Sequence, residues 1–154
     1  MGNGWECGIE MKISTKGRYA LRMMLDLAQH KDCGFVALKD IAKRQGISKK
    51  YLEQIVPLLN KADVLKTNRG YQGGYMLARD PKDYTVGEIL RITEGSIAPV
   101  ACLDQTPNQC GCVDSCATLK IWKGLQDVIE EYLDGITLAD IQEEECQCVN
   151  DYII

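Results

Sequence analysis

Two short amphipathic patterns meet at a single glycine between residues 38 and 61, and that junction limits the fold more than any other feature of the chain. Leu38, Ile41 and Ala42 recur at helical spacing up to about Gln45. Gly46 permits a sharp turn, Ile47 is placed to plug a core, and Ser48 is placed to cap a second helix from about Lys49 to Lys61. That helix buries Leu52, Ile55, Val56 and Leu59 on one stripe. Two helices joined by a short glycine-containing turn, the second one capped, form a helix-turn-helix pattern. A plain helical hairpin shows the same pattern, so the next segment carries weight. Residues 64–67 and 75–78 are short strand candidates around the loop Asn68-Arg69-Gly70-Tyr71-Gln72-Gly73-Gly74. A β-hairpin directly after a helix-turn-helix is a wing. A phosphate cradle is the weaker reading of these glycines, because no helix opens after Gly74. Pro57 removes a backbone donor inside the second helix and is expected to kink or loosen it.

The remaining segments frame this unit. Ser14 or Thr15 caps a helix running to about His30, with Tyr19, Ala20, Met23, Met24, Leu27 and Ala28 on its apolar face. Asp80-Pro81 closes the hairpin. Thr85 with Glu88 reads as a capping box for a helix over residues 86–94, ended by Gly95. A longer amphipathic helix spans about residues 116–133, its stripe formed by Ile121, Trp122, Leu125, Val128, Ile129, Tyr132 and Leu133. Residues 136–141 give a final apolar turn or helix. The fold class is therefore mainly α: a winged helix-turn-helix with a small β-hairpin wing and a long C-terminal amphipathic helix. Residues 1–10 read as a flexible extension and 11–95 as the DNA-binding domain. Residues 96–116 read as a cysteine-rich loop, 117–142 as the region of the long helix, and 143–154 as an acidic tail without a clear pattern. At 154 residues the chain can bury one small domain and an oligomerisation element.

Charge divides along the same line. Residues 11–79 carry a balance of +9 and residues 80–154 one of −11, within an overall −4. A basic head on an acidic tail suits a polyanion partner for the head, although two faces of opposite sign that stabilise each other would give the same count. No apolar run reaches the ~18 residues of a membrane span, and the first ten residues lack the pattern of a secretory signal. A cytoplasmic location is expected, with no membrane partner. Eight cysteines in a reducing compartment argue for metal or redox chemistry rather than a disulfide framework.

Lys49, Lys50, Glu53 and Gln54 stand on the first turns of the second helix of the motif, away from its buried stripe. Gln pairs with adenine, Lys with guanine, and Glu accepts from cytosine. Lys12, Lys16, Arg18, Lys39, Lys43 and Arg44 suit phosphates, and Arg69 suits the minor groove. Cys102, Cys110, Cys112 and Cys116 crowd one loop and leave three readings open. They are structural zinc, an iron–sulfur cluster on Cys102, Cys110 and Cys116 with a fourth ligand, and a metal-free thiol switch. Cys33 is read as a packing cysteine, and Cys7, Cys146 and Cys148 as terminal free thiols. His30 is read as an ordinary helix-terminal residue. No Ser/His/Asp or Cys/His set assembles, which argues against a hydrolytic enzyme and for no enzyme at all.

Several motifs occur in order. They are residues 11–20 (MKISTKGRYA), 41–48 (IAKRQGIS), Tyr51-Leu-Glu-Gln54, Arg69-Gly70 with Gly73-Gly-Tyr75, Val86-Gly-Glu-Ile89, the three spaced cysteines and Trp122. Over about residues 11–141 the chain resembles the bacterial regulators typified by IscR. The resemblance implies a winged-helix homodimer that binds a palindromic double-stranded operator and responds to an iron–sulfur cluster, 2Fe–2S ahead of 4Fe–4S. It implies residues 96–116 as the cluster-binding loop and the long C-terminal helix, within 117–142, as the dimerisation helix. It implies Cys102, Cys110 and Cys116 as cluster ligands. The histidine expected three residues after the last cysteine is replaced by Leu119, and Cys112 is the leading substitute as fourth ligand. It implies Ser48, Lys50, Tyr51, Glu53 and Gln54 as the reading residues and Arg69 on the wing; with Gly70 beside Arg69, and Lys16 and Arg18 read as phosphate contacts, these make up the expected DNA-binding set. The alternative is a cysteine-based electron carrier or zinc module that does not read DNA.

Overall fold

The computed structural model describes residues 13–151, with side chains as far as Cys146. The extension assigned to residues 1–10, Lys12, and the side chains of Cys7 and Cys148 lie outside the described residues.

Helix α1 (Thr15–Gln29) is capped by Ser14, whose side chain accepts from the Gly17 N–H at 3.3 Å. Helices α2 (Leu38–Gln45) and α3 (Lys49–Lys61) meet as the spacing predicts. Gly46 closes α2 at φ 62°, a left-handed conformation that favours glycine, and Ser48 caps α3 through the Tyr51 N–H at 3.1 Å. Ile47 is buried between them, together with Leu38, Ile41 and Ala42 of α2 and Leu52, Ile55, Val56 and Leu59 of α3. Pro57 does not break α3, which runs on to Lys61 with the proline ring exposed. The missing N–H thus lies on the solvent side of the helix, where water can take up the freed carbonyl.

The wing consists of β1 (Leu65–Asn68) and β2 (Gly74–Leu77), antiparallel, with Leu65 opposite Leu77 and Asn68 opposite Gly74. Both strands are shifted one residue from the expectation, which shortens the tip to five residues. The register is the expected one, and the Ala78 N–H still donates to the Val64 carbonyl at 3.2 Å; the hairpin also has a third partner invisible to local pattern. Val36, just before α2, exchanges both backbone hydrogen bonds with Tyr75, at 2.8 and 2.9 Å. A Cβ on Gly74 would lie 2.5 Å from the Val36 carbonyl oxygen, so glycine is required for this approach. Thr67 donates to the Asn60 side chain at 3.0 Å and so fixes the wing to the end of α3.

Helix α4 (Val86–Glu94) begins with half of the expected capping box. Thr85 accepts from the Glu88 N–H at 3.1 Å, but the Glu88 carboxylate turns away to pair with Arg79. Tyr84 is completely buried; its hydroxyl donates to the Val64 carbonyl and accepts from the Arg79 N–H, both at 2.8 Å. Two long-range links then mount α4. The Glu94 carboxylate accepts from the Ser14 N–H at 2.9 Å and the Ser14 hydroxyl at 2.6 Å. Gly17 makes room, since a Cβ there would stand 2.3 Å from that carboxylate.

Helix α5 (Leu119–Asp134) starts three residues later than expected, and α6 (Leu138–Asp151) carries helix through most of the acidic tail. The linker between them returns to the head. Val86 N–H donates to the Ile136 carbonyl at 2.9 Å, Leu138 N–H donates to the Tyr84 carbonyl at 3.0 Å, and Leu138 is buried in the main core. A second, smaller cluster joins Val86, Leu90 and Ile97 to Ile129, Leu133, Ile136 and Ile141. The apolar stripe of α5 therefore divides. Ile129 and Leu133 face the head, while Ile121, Val128 and Tyr132 are 62%, 63% and 67% exposed and Leu125 is exposed beside them.

Candidate nucleic-acid interface and cysteine loop

The residues assigned to base reading begin at the capped start of α3. Ser48, Lys50, Glu53 and Gln54 are exposed on the first turns of α3, and Lys49 pairs with Glu53 at 3.4 Å. A groove of about 830 Å³ separates α3 and the start of α2 from the wing. Lys39, Lys49 and Glu53 line one side of it, and Arg69, Tyr71 and Gln72 the other. Lys16 is exposed on α1, and Arg18 is exposed with its guanidinium donating to the Thr15 hydroxyl at 3.1 Å. Gly70 is exposed at the wing tip, its N–H held by the Asn68 side chain at 3.1 Å. Tyr51 stands apart from the other residues assigned to reading. It is half-buried and packs edge-on against Tyr19, ring centroids 5.3 Å apart.

One basic residue assigned to phosphates has another partner. Arg44 makes a two-pronged ion pair with Asp26 at 3.0 and 2.6 Å, and Gln45 adds a third hydrogen bond at 3.0 Å. Asp26 is 1% exposed. Burial pushes its carboxyl upward, but the hydrogen bonds from Arg44 and Gln45 and the Arg44 charge outweigh this and hold it below the usual carboxylate range. Arg22 also bonds the Gln45 backbone, so the C-terminal end of α2 is tied to α1 by side chains from both helices. Nothing in local spacing announces this network. A lone aspartate on the apolar face of α1 was the available signal, because a charge there needs a partner. His30 behaves as an ordinary helix-terminal residue, with Nδ1 2.7 Å from the Asp26 carbonyl.

The cysteine loop runs from Gly95 to α5 through short 3₁₀ turns at Ala101–Leu103 and Val113–Ser115, neither of which buries a side chain. Cys102, Cys110 and Cys116 are half-buried and Cys112 is exposed. Among the described residues, no three of His, Cys, Asp and Glu come together closely enough to hold a metal ion. The donors nevertheless suit an iron–sulfur group in kind. The loop also keeps one polar atom unused: the Asn108 side-chain oxygen accepts from the Cys110 N–H at 2.9 Å, while its amide nitrogen is buried without a partner. The Cys116 thiol lies 3.5 Å from the Thr118 hydroxyl, and hydrogen bonds from that hydroxyl and from the N–H groups of Thr118 and Leu119 hold it below the usual thiol range. Cys33 contradicts the packing assignment. It sits on an exposed 3₁₀ turn, because α1 ends before the helical spacing can carry it inward. Cys146 is exposed on α6.

Comparison with known proteins fits this architecture. A family model described as "Rrf2: Iron-dependent Transcriptional regulator" matches residues 13–144. The HTH-type transcriptional regulator CymR of Bacillus subtilis (strain 168) is 42% identical over 132 residues, covering 85% of this chain and 89% of that protein. The solved structure of T. potens IscR superposes with a TM-score of 0.69 at 43% identity, over 90% of this chain and 89% of that one. The structure of CymR, described as the global cysteine regulator of B. subtilis, superposes with a TM-score of 0.71 at 38% identity, over 86% and 97%. The chain belongs to the Rrf2 family of transcriptional regulators, and its fold is the winged helix-turn-helix of that family.

Proposed function

We propose that this protein is a homodimeric, DNA-binding transcription regulator whose cysteine loop reports iron–sulfur or redox status. The observation that carries this reading is a juxtaposition. A capped reading helix and a wing flank a cation-bearing groove, and the cysteine loop runs from the base of that head into a helix with an uncovered apolar face. Two copies joined through Ile121, Leu125, Val128 and Tyr132 present two α3 helices to a palindromic duplex. Ser48, Lys50, Tyr51, Glu53 and Gln54 read or orient on bases, Arg69 with Gly70 meets the minor groove, and Lys16 and Arg18 hold phosphates. The electron-carrier and zinc-module readings give no role to this head.

Cys102, Cys110 and Cys116 are the residues that would hold a 2Fe–2S cluster, with Cys112 as the fourth. Such a cluster supplies a one-electron couple and a tie between distant loop positions. The Asn108 amide nitrogen is a donor available to a sulfur acceptor in the same loop. A metal-free thiol switch is the second reading. It is favoured by thiols that are not gathered and by the position of Cys116 beside Thr118. Anaerobic reconstitution with iron and sulfide separates the two. The cluster reading expects a coloured protein with iron and acid-labile sulfide bound, and colour lost in Cys102→Ala, Cys110→Ala or Cys116→Ala but kept in Cys146→Ala. A colourless protein whose DNA affinity changes on mild thiol oxidation would establish the switch instead. DNA affinity indifferent to both treatments overturns the sensing role.

A further inference from the structure

Tyr71 has no packing role. It is fully exposed at the tip of the wing, where a large aromatic ring is costly to leave in water. Its mounting is well defined. The Asn68 side chain holds the Gly70 N–H, and Gly73 sits so close to the carbonyls of Asn68 and Gly70 that a Cβ would come within 2.9 Å of each. The tip backbone is thus set while the ring projects from it. Across the groove, Phe35 is 40% exposed, next to Val36, which pairs with the wing strand. Both rings line the same groove as Lys39, Lys49 and Arg69. Aromatic rings interleaved with cations on a head that carries +9 suit a polyanion with apolar walls, and duplex DNA offers these as deoxyribose and base edges between phosphates.

We propose that Tyr71 and Phe35 form a pair of aromatic jaws that grip the sugar walls of duplex DNA beside each half-site, Tyr71 from within the minor groove and Phe35 from the backbone side. This inference rests on the DNA-binding reading above and adds to it a non-ionic contact. Ionic and non-ionic contacts separate by their salt dependence. A residue that neutralises a phosphate steepens the slope of log affinity against log salt; an aromatic contact displaces no counterion and leaves the slope unchanged.

The test uses the full-length protein and a duplex recovered from a random-sequence pool by selection with wild type, titrated at several salt concentrations. Losing the apolar burial of one large aromatic side chain lowers affinity roughly tenfold or more. Tyr71→Ala is expected to show that loss at every salt concentration, with an unchanged slope, and to lose hydroxyl-radical protection of the flanking minor groove. Tyr71→Phe should retain most of the affinity, and Phe35→Ala should show a smaller loss. A Tyr71→Ala protein that binds like wild type, or that loses affinity only by flattening the salt slope, overturns the proposal. Wild type that selects no duplex overturns the DNA-binding reading itself, a separate outcome. Circular dichroism confirms that the variants are folded.

Discussion

The winged head and the cysteine loop are built to opposite standards. The head caps α1, α3 and α4 with Ser14, Ser48 and Thr85, buries nineteen apolar side chains in one cluster joined by Leu138 of α6, and matches its buried carboxylate, Asp26, to Arg44 and Gln45. The loop and α5 bury no side chain completely between Ala101 and Asp134. The described thiols are free, the Asn108 amide nitrogen is buried without a hydrogen bond, and one apolar face of α5 is exposed. Under the proposed function the head is a finished device for reading, while the loop and α5 would be completed by a cluster and a second chain. Regions of low local stability are where switching elements must be found.

The largest test of this contrast acts on α5. Leu125→Asp with Val128→Asp alters the exposed face and spares Ile129 and Leu133, which pack on the head. The expected product is a folded monomer by light scattering. Its operator affinity should fall by about 10²–10⁴, because the two half-sites no longer engage together. A dimer surviving both aspartates would move the interface elsewhere.

Within the head, Leu52→Ala should destabilise by about 2–5 kcal/mol in urea unfolding, the ordinary cost of a cavity at a completely buried leucine. Asp26→Asn comes next. Arg44 is one-third exposed, so water recovers part of its charge and the loss should be about 1–3 kcal/mol. The pH dependence has a definite sign. Because folding depresses the Asp26 carboxyl, its contribution is complete above the unperturbed aspartate value of about 3.9 and fades as pH falls through the lower native value. Wild type should therefore lose stability faster than Asp26→Asn on acidification below that value. Parallel curves would mean that Arg44 does not hold the carboxylate in solution.

The same contrast governs what the sequence made legible. Helix ends in the head follow from single residues with one job each: Ser14, Gly46, Ser48, Thr85 and Gly95 all stand where local chemistry puts them. Long-range links left no periodic trace. Val36 pairing with Tyr75, Thr85 with Thr137, and Glu94 with Ser14 join positions far apart in sequence. The α5 stripe was visible as a stripe, but its division between head and exterior was not, because periodicity reports a face and not what covers it. The cysteines were legible as a cluster in sequence only; spacing in a loop does not fix where the sulfurs point.

The smallest expected effect sharpens the comparison most. Cys110→Ala in the protein kept reduced and metal-free should change unfolding free energy by no more than about 0.5 kcal/mol, since the thiol is not part of a core. Leu52→Ala, which removes three carbon atoms from a completely buried site in the head instead of one sulfur from the loop, is expected to cost several times more. If the loop is an unfinished sensor, that near-neutrality should disappear once it is loaded: after anaerobic reconstitution, wild type should gain stability and Cys110→Ala should not. A Cys110→Ala protein as destabilised as Leu52→Ala before reconstitution would show that the loop is already part of the packed fold, and the division between a finished reader and an unfinished sensor would fail.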